Sequence, residues 1–106
     1  KNWNLLIIDG NSNSQTQKIL DKYKEHPKIN IIRLKKNMKA GFCRNLAIKK
    51  SKGQFISFLD ADDLWLPKKL SLQIPLFKNP EVGVVYSKLL IYNNSTKKKK
   101  FTLIET

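Results

Sequence analysis

One cysteine, one histidine and two arginines are all that 106 residues hold of three residue types on which many functions depend. The lone Cys43 excludes an internal disulfide and a multi-cysteine zinc site, and it suits a reducing compartment. Its simplest role is that of a small apolar residue on a helix rather than a nucleophile. His26 precedes Pro27 in a polar turn and has no partner at catalytic spacing, so it reads as a loop residue. Arginine is confined to Arg33 and Arg44, and lysine makes up the rest of the 21 basic residues. Base-edge readout favours arginine forks together with Asn and Gln. The composition therefore argues against sequence-specific nucleic-acid recognition. Acidic residues are also scarce, 8 against 21 basic, which leaves a net charge of +13. Such a field attracts polyanions: nucleic acid, an anionic membrane surface or phosphorylated small molecules. No apolar run approaches the ~20 residues needed to cross a bilayer. Residues 1–8 read as a strand, with neither the apolar stretch nor the cleavage site of a signal peptide.

What is present is a hydrophobic share of 41%, ordinary for a globular chain, and a length that allows one small, modestly stabilised domain. The chain begins without Met and enters a strand at once, so the expectation is a single partial domain over residues 1–106. The run Lys97-Lys98-Lys99-Lys100 is either a solvated segment or a lipid-facing patch.

Hydrophobic periodicity predicts a first strand over residues 3–8, where Leu5, Leu6, Ile7 and Ile8 form a buried run. Asp9-Gly10-Asn11-Ser12-Asn13-Ser14 follows, rich in turn formers and helix N-caps. A helix is predicted over residues 15–25, with Ile19, Leu20 and Tyr23 inward, and a second strand over 29–34. The next helix spans residues 42–50, with Phe42, Leu46 and Ile48 as its apolar face and Gly53 as its stop. A third strand over 54–59 runs into Asp60-Ala61-Asp62-Asp63. Pro67 opens a helix reaching about residue 77, with Pro75 disturbing its last turn. A fourth strand is predicted over 82–87 and a fifth over 89–92, and the tail 93–106 suits a hairpin around the lysine run. This alternation gives an α/β fold with a mainly parallel sheet flanked by helices. Ligands of such sheets bind beyond the carboxyl ends of the strands, where both Asp-rich turns fall.

Three carboxylates within four residues repel one another unless something positive sits among them. A hard divalent cation, Mg²⁺ or Mn²⁺, shared with a diphosphate is one solution. It would neutralise charge on a departing nucleoside diphosphate. A helix start, with Asp63 or a neighbour capping free N–H groups, explains the same spacing. Spacing alone leaves both open.

Several blocks, in order, resemble family 2 glycosyltransferases, which share the GT-A fold, a Rossmann-like nucleotide-diphospho-sugar transferase architecture. Leu6-Ile7-Ile8-Asp9-Gly10-Asn11-Ser12 resembles the family's strand ending in an Asp-Asp-Gly-Ser type of turn. Asn37 and the later Arg44-Asn45-Leu46-Ala47-Ile48 resemble its Asn…Ala-Arg-Asn-x-Gly block. The segment from Lys52-Gly53-Gln54 through Phe58-Leu59-Asp60-Ala61-Asp62-Asp63 resembles its strand and Asp-x-Asp element, and Trp65, Pro67, Leu70 and Gln73 fall at familiar places. The likeness covers residues 3–87, and its ordered combination is more specific than any single block. It implies that Asp60 touches the donor ribose or adjoining sugar and that Asp62 ligates the metal, with Asp63 in support. It also implies that Asp9 lies beside the base and that Arg44 contacts the donor or Asp60, a plain structural ion pair being the alternative for Arg44. Asn37 and Asn45 would fix the loop.

Two departures stand out: Gly10 occupies the second acidic position, and Lys39 stands two residues after Asn37 where Gly is common. The resemblance further implies that the family's first nucleotide-binding strand and its acceptor half lie outside these 106 residues. The catalytic base is therefore expected beyond Thr106. The expected function is inverting, metal-dependent transfer of a sugar from a nucleotide-diphospho-sugar donor to a saccharide or lipid-linked acceptor, in cell-surface polysaccharide or lipopolysaccharide synthesis. The fragment alone is expected to be inactive. The expected location is the cytoplasm, with the inner face of an anionic membrane as a contact for the basic surface. Two rival readings remain: a lysine-rich polyanion-binding module, and a nucleotidyltransferase on a related fold. The first leaves the clustered carboxylates unexplained.

Overall fold

Parallel pairing of two short strands organises the first half of the chain. A computed structural model describes residues 2–102, and the side chains of residues 2–97. The contacts divide the chain into two units, one ending at Asp60 and the other beginning at Ala61.

In the first unit, β1 (Leu5–Asp9) and β2 (Ile29–Arg33) pair in parallel, with Leu5 opposite Ile29 and Asp9 opposite Arg33. Parallel neighbours need a crossover, and α1 (Ser14–Asp21) supplies it. Asn13 starts this helix by accepting the Thr16 amide on its side chain at 2.9 Å. The predicted helix ran to residue 25, but the α-helix stops at Asp21. Lys22, Tyr23 and Lys24 instead donate to carbonyls three residues back. Pro27 biases His26 away from helical angles, and the helix tightens before it reaches that barrier. The inward face also differs. Gln17 and Leu20 are half-buried, whereas Ile19 and Tyr23 are exposed, because Gln17 turns inward to donate to Ser12 O at 2.8 Å.

The second helix, α2 (Ala40–Lys50), packs against β1 and carries Lys49 and Lys50 in its last turn, where cations suit the helix dipole. Cys43, Leu46 and Ala47 form its half-buried face. Phe42 and Ile48 are exposed, contrary to expectation. Ile48 lies two residues past Leu46, about 200° around a 3.6-residue helix, so the two cannot share a face.

The predicted third strand over 54–59 is a correction: no ladder forms there among the described residues. Apolar character favours an extended chain, but a strand needs a neighbour to satisfy its backbone. Phe55, Ile56, Phe58 and Leu59 remain exposed.

The second unit contains α3 (Lys69–Gln73), a 3₁₀ turn (Ile74–Lys78), β3 (Leu89–Asn93) and β4 (Lys98–Thr102). A continuous helix to residue 77 is not formed. Pro75 lacks an N–H and clashes with the preceding turn, so the chain changes from α to 3₁₀ at Ile74. Residues 82–87 carry no ladder either, and Val84 and Tyr86 are exposed. The fifth strand forms as β3, and its antiparallel partner β4 sets Leu89 opposite Thr102 and Asn93 opposite Lys98. The hairpin therefore begins earlier than the predicted tail. Its turn is organised by Asn93, which accepts the Ser95 and Thr96 amides at 3.0 Å each. Of the lysine run, Lys97 closes the turn at φ 57 and Lys98, Lys99 and Lys100 enter β4. Residues 103–106 of the predicted hairpin lie outside the described residues.

The architecture is α/β, a parallel pair with helices around it, consistent with a partial GT-A fold. No helix among the described residues is long and apolar enough to cross a membrane.

Candidate functional site

Asp9 ends β1 at the carboxyl edge of the parallel pair, where sheets of this class hold ligands. Among the described residues it is the one buried polar residue, 5% exposed. One carboxylate oxygen, Oδ1, accepts the Ser12 amide at 2.9 Å and folds the turn back on itself. The other, Oδ2, faces Arg33 Nε at 3.8 Å, and neither of these two buried atoms has a hydrogen-bond partner. Asn11 lies inside the turn at φ 71, a left-handed conformation that asparagine tolerates better than most residues. A methyl group placed on Gly10 would stand 3.8 Å from Met38 O, 3.9 Å from Asn37 Oδ1 and 4.0 Å from Cys43 Sγ. The loop carrying Asn37 and the start of α2 thus flank the turn after β1, and two separate motif blocks meet. An ordinary side chain at position 10 would be in van der Waals contact without a clash.

Arg44 projects from α2 and donates from Nη2 to Asp60 Oδ1 at 2.7 Å. Both side chains remain about half exposed. The Asp60 carboxylate raises the Arg44 pKa further above its ordinary value, chiefly through this hydrogen bond. Of the two partners the resemblance offered for Arg44, the geometry supplies Asp60.

Asp62 and Asp63 follow Ala61 at the start of the second unit, Asp62 within a turn and Asp63 just after it. Both are exposed, and among the described residues neither has a hydrogen-bond or ion-pair partner. No three His, Cys, Asp or Glu side chains gather into a metal-holding cluster among the described residues. Mg²⁺ and Mn²⁺ commonly take one or two carboxylates, with substrate phosphates and water completing the shell. A carboxylate left open to solvent and unspent on the protein suits that requirement. Capping, the other explanation of the Asp cluster, finds no support: α3 starts at Lys69 and has no side-chain cap.

Arg33 is the residue that sequence reasoning passed over. In the sequence it stands out only as one of two arginines, within the strand predicted over residues 29–34. In the structure its Nη2 donates to Gln17 O at 3.0 Å and to Asp21 Oδ1 at 2.8 Å, while Nε faces Asp9. One signal was available in the sequence: an arginine next to the end of one predicted strand and an Asp directly after another. An open depression of about 320 Å³ along β2, lined by Lys24, Ile29, Asn30, Ile31 and Arg33, contains none of the expected donor residues.

Comparison with known proteins agrees with the residue pattern. The model of the family "Glycosyl transferase family 2" matches residues 1–105. A UDP-Glc:alpha-D-GlcNAc-diphosphoundecaprenol beta-1,3-glucosyltransferase of Escherichia coli is 34% identical over 101 residues, covering 94% of this chain and 39% of the relative. A second Escherichia coli protein of the same description is 38% identical over 93 residues, 86% of this chain and 36% of that protein. A putative teichuronic acid biosynthesis glycosyltransferase of Bacillus subtilis is 34% identical over 73 residues, 68% of this chain and 29% of that protein. The chain thus spans well under half the length of these relatives. No solved structure matches it. With a family model covering nearly every residue, and the Asp9 turn standing where the motif order requires it, the chain belongs to glycosyl transferase family 2.

Proposed function

We propose that this chain is the donor-binding part of a metal-dependent glycosyltransferase that moves a sugar from a nucleotide-diphospho-sugar to a saccharide or lipid-linked acceptor in cell-surface polysaccharide synthesis. The observation that carries the proposal is the buried Asp9, which shapes the turn at the carboxyl end of a parallel strand, in a chain matching the family over residues 1–105. Two Escherichia coli relatives carry names specifying a UDP-glucose donor and a diphosphoundecaprenol-linked acceptor. Only the classes are carried over: a nucleotide-sugar and a lipid-linked saccharide. A cytoplasmic enzyme working at an anionic inner membrane face accords with the +13 charge.

In this reading Asp9 and its turn lie beside the nucleoside. Asp60, oriented by Arg44, accepts hydrogen bonds from the donor's ribose or sugar hydroxyls, and Asp62 supplies an oxygen ligand to the metal. Mg²⁺ or Mn²⁺, when bound, offsets the negative charge that builds on the leaving diphosphate. An acceptor hydroxyl displaces that diphosphate directly, inverting the anomeric carbon. The base that removes its proton is assigned to no residue of this chain.

Calorimetric titration of the natural full-length polypeptide with UDP-, GDP- and dTDP-sugars, with and without Mn²⁺, tests the proposal. Binding is expected with the metal and lost without it, and Asp62→Ala is expected to abolish the metal-dependent component. Unchanged binding in Asp62→Ala would overturn the metal assignment. Analysis of the reaction product distinguishes sugar transfer from nucleotidyl transfer.

A further inference from the structure

The contacts around Ser12 close on themselves. Its amide donates to Asp9 Oδ1 at 2.9 Å, and its carbonyl accepts from Gln17 Nε2 at 2.8 Å. Both holders are in turn engaged by Arg33: Gln17 through its carbonyl at 3.0 Å, and Asp9 through the opposed Oδ2 and Nε at 3.8 Å. Asp21, at the end of α1, anchors the same guanidinium at 2.8 Å. One arginine at the end of β2 therefore ties together β1, the turn after it and the helix that follows. A planar fork with several fixed donors suits this task, and a lysine point charge does not reproduce it.

The Asp9 side chain is only 3% exposed. A carboxylate that reads a nucleobase must present an oxygen to the base edge. Here one oxygen is spent on Ser12 and the other faces Arg33 inside the protein. The next position, Gly10, has no side chain to take over that reading. What the turn does offer a ligand is main chain, held in shape by this closed circuit, with Asn11 at φ 71.

We infer that Asp9 and Arg33 form a positioning pair that shapes the turn over residues 10–13 for a nucleoside diphosphate without reading its base. The inference deepens the donor-binding proposal above and rests on it for its ligand. Removing either member loosens the turn and weakens every nucleotide alike. Base preference, whatever its origin elsewhere in the enzyme, stays as it was.

The experiment compares the natural full-length protein with Asp9→Asn, Arg33→Gln, Arg33→Lys and the double variant Asp9→Asn/Arg33→Gln. Dissociation constants for UDP, GDP and dTDP are measured with Mn²⁺, and hydrogen exchange is followed at the Ser12 amide. Each single variant should raise the dissociation constant of every nucleotide that binds by about tenfold, as expected for one charge-assisted contact. The order of preference should not change. The double variant should bind no more weakly than the weaker single one, Arg33→Lys should recover part of the loss, and Ser12 exchange should accelerate in all of them. A changed order of preference in Asp9→Asn, or full additivity in the double variant, overturns the inference. So does Ser12 protection that survives Arg33→Gln. If the unmodified protein binds none of the three nucleotides, the donor-binding proposal fails on its own, and the exchange measurement still decides whether Arg33 holds the turn.

Discussion

Arg44 and Asp60 meet at 2.7 Å while about half of each side chain stays in water, and that exposure separates their two conceivable contributions. An exposed ion pair gains little, because solvent and salt screen it and two side chains must be ordered to form it. Arg44→Met and Asp60→Asn should therefore leave the midpoint of thermal unfolding nearly unchanged. In the donor-binding role each should instead weaken nucleotide-sugar binding roughly tenfold or more, the scale of one charged hydrogen bond. A calorimetric binding titration run beside a melting curve checks both. Asp21, 45% exposed, is screened by solvent in the same way. Its pKa is lowered, first by the hydrogen bond from Arg33 and then by that from Lys24. A carboxylate with a depressed folded pKa stabilises the protein fully above its unfolded value, ordinarily 3.8, and loses that stabilisation as pH falls through the folded value. The urea midpoint of Asp21→Asn should therefore lie only slightly below that of the unmodified protein near neutrality, with the gap closing as pH drops below that ordinary value. At this scale the sequence exposed the candidates and, through the family likeness, Asp60 as one of two partners for Arg44, but not the partners of Asp9. Asp9, Arg44 and the acidic cluster are legible from spacing and family likeness. Arg33 is not, because its importance lies in facing Asp9 across a parallel pair and Gln17 across a helix, and neither proximity exists along the chain.

Among the elements, success in reading the sequence followed how local the determining physics is. β1, β2 and α2 form where periodicity predicts them, since a short aliphatic run and a capped or charged helix end act within a few residues. The shortened α1 also has a local cause, since Pro27 restricts the residue before it. At the end of α3, Pro75 decides the geometry by lacking a donor. Replacing it with Ala should carry the α-helix through residues 74–78, seen as stronger helical ellipticity at 222 nm, with proline's cost of about 3 kcal/mol in a helix interior as the upper limit of the stability gain. Residues 54–59 and 82–87 differ in kind. Their composition favours extended chain, but composition cannot supply the adjacent strand that a ladder needs.

For the chain as a whole, the decisive quantity is burial. No hydrophobic residue among those described is fully buried, and Phe55, Ile56, Phe58, Leu64, Leu66 and Tyr86 are among the large apolar side chains left open. Hydrophobic burial is the main favourable term in folding, so the described residues lack the source of a sharp two-state transition. They should unfold over a broad temperature range and bind an apolar-surface dye strongly in calorimetry and fluorescence, respectively. A narrow calorimetric transition without dye binding would contradict this. The amino-acid order by itself determined the strand–helix alternation, the basic surface charge and the family, because short-range pattern and motif order carry all three. Only the tertiary structure decided which apolar segments became strands, that Arg44 meets Asp60, and that Arg33 closes a circuit around Ser12. Those outcomes depend on groups distant in sequence coming within a few ångströms, where hydrogen bonds and unscreened charge first take effect.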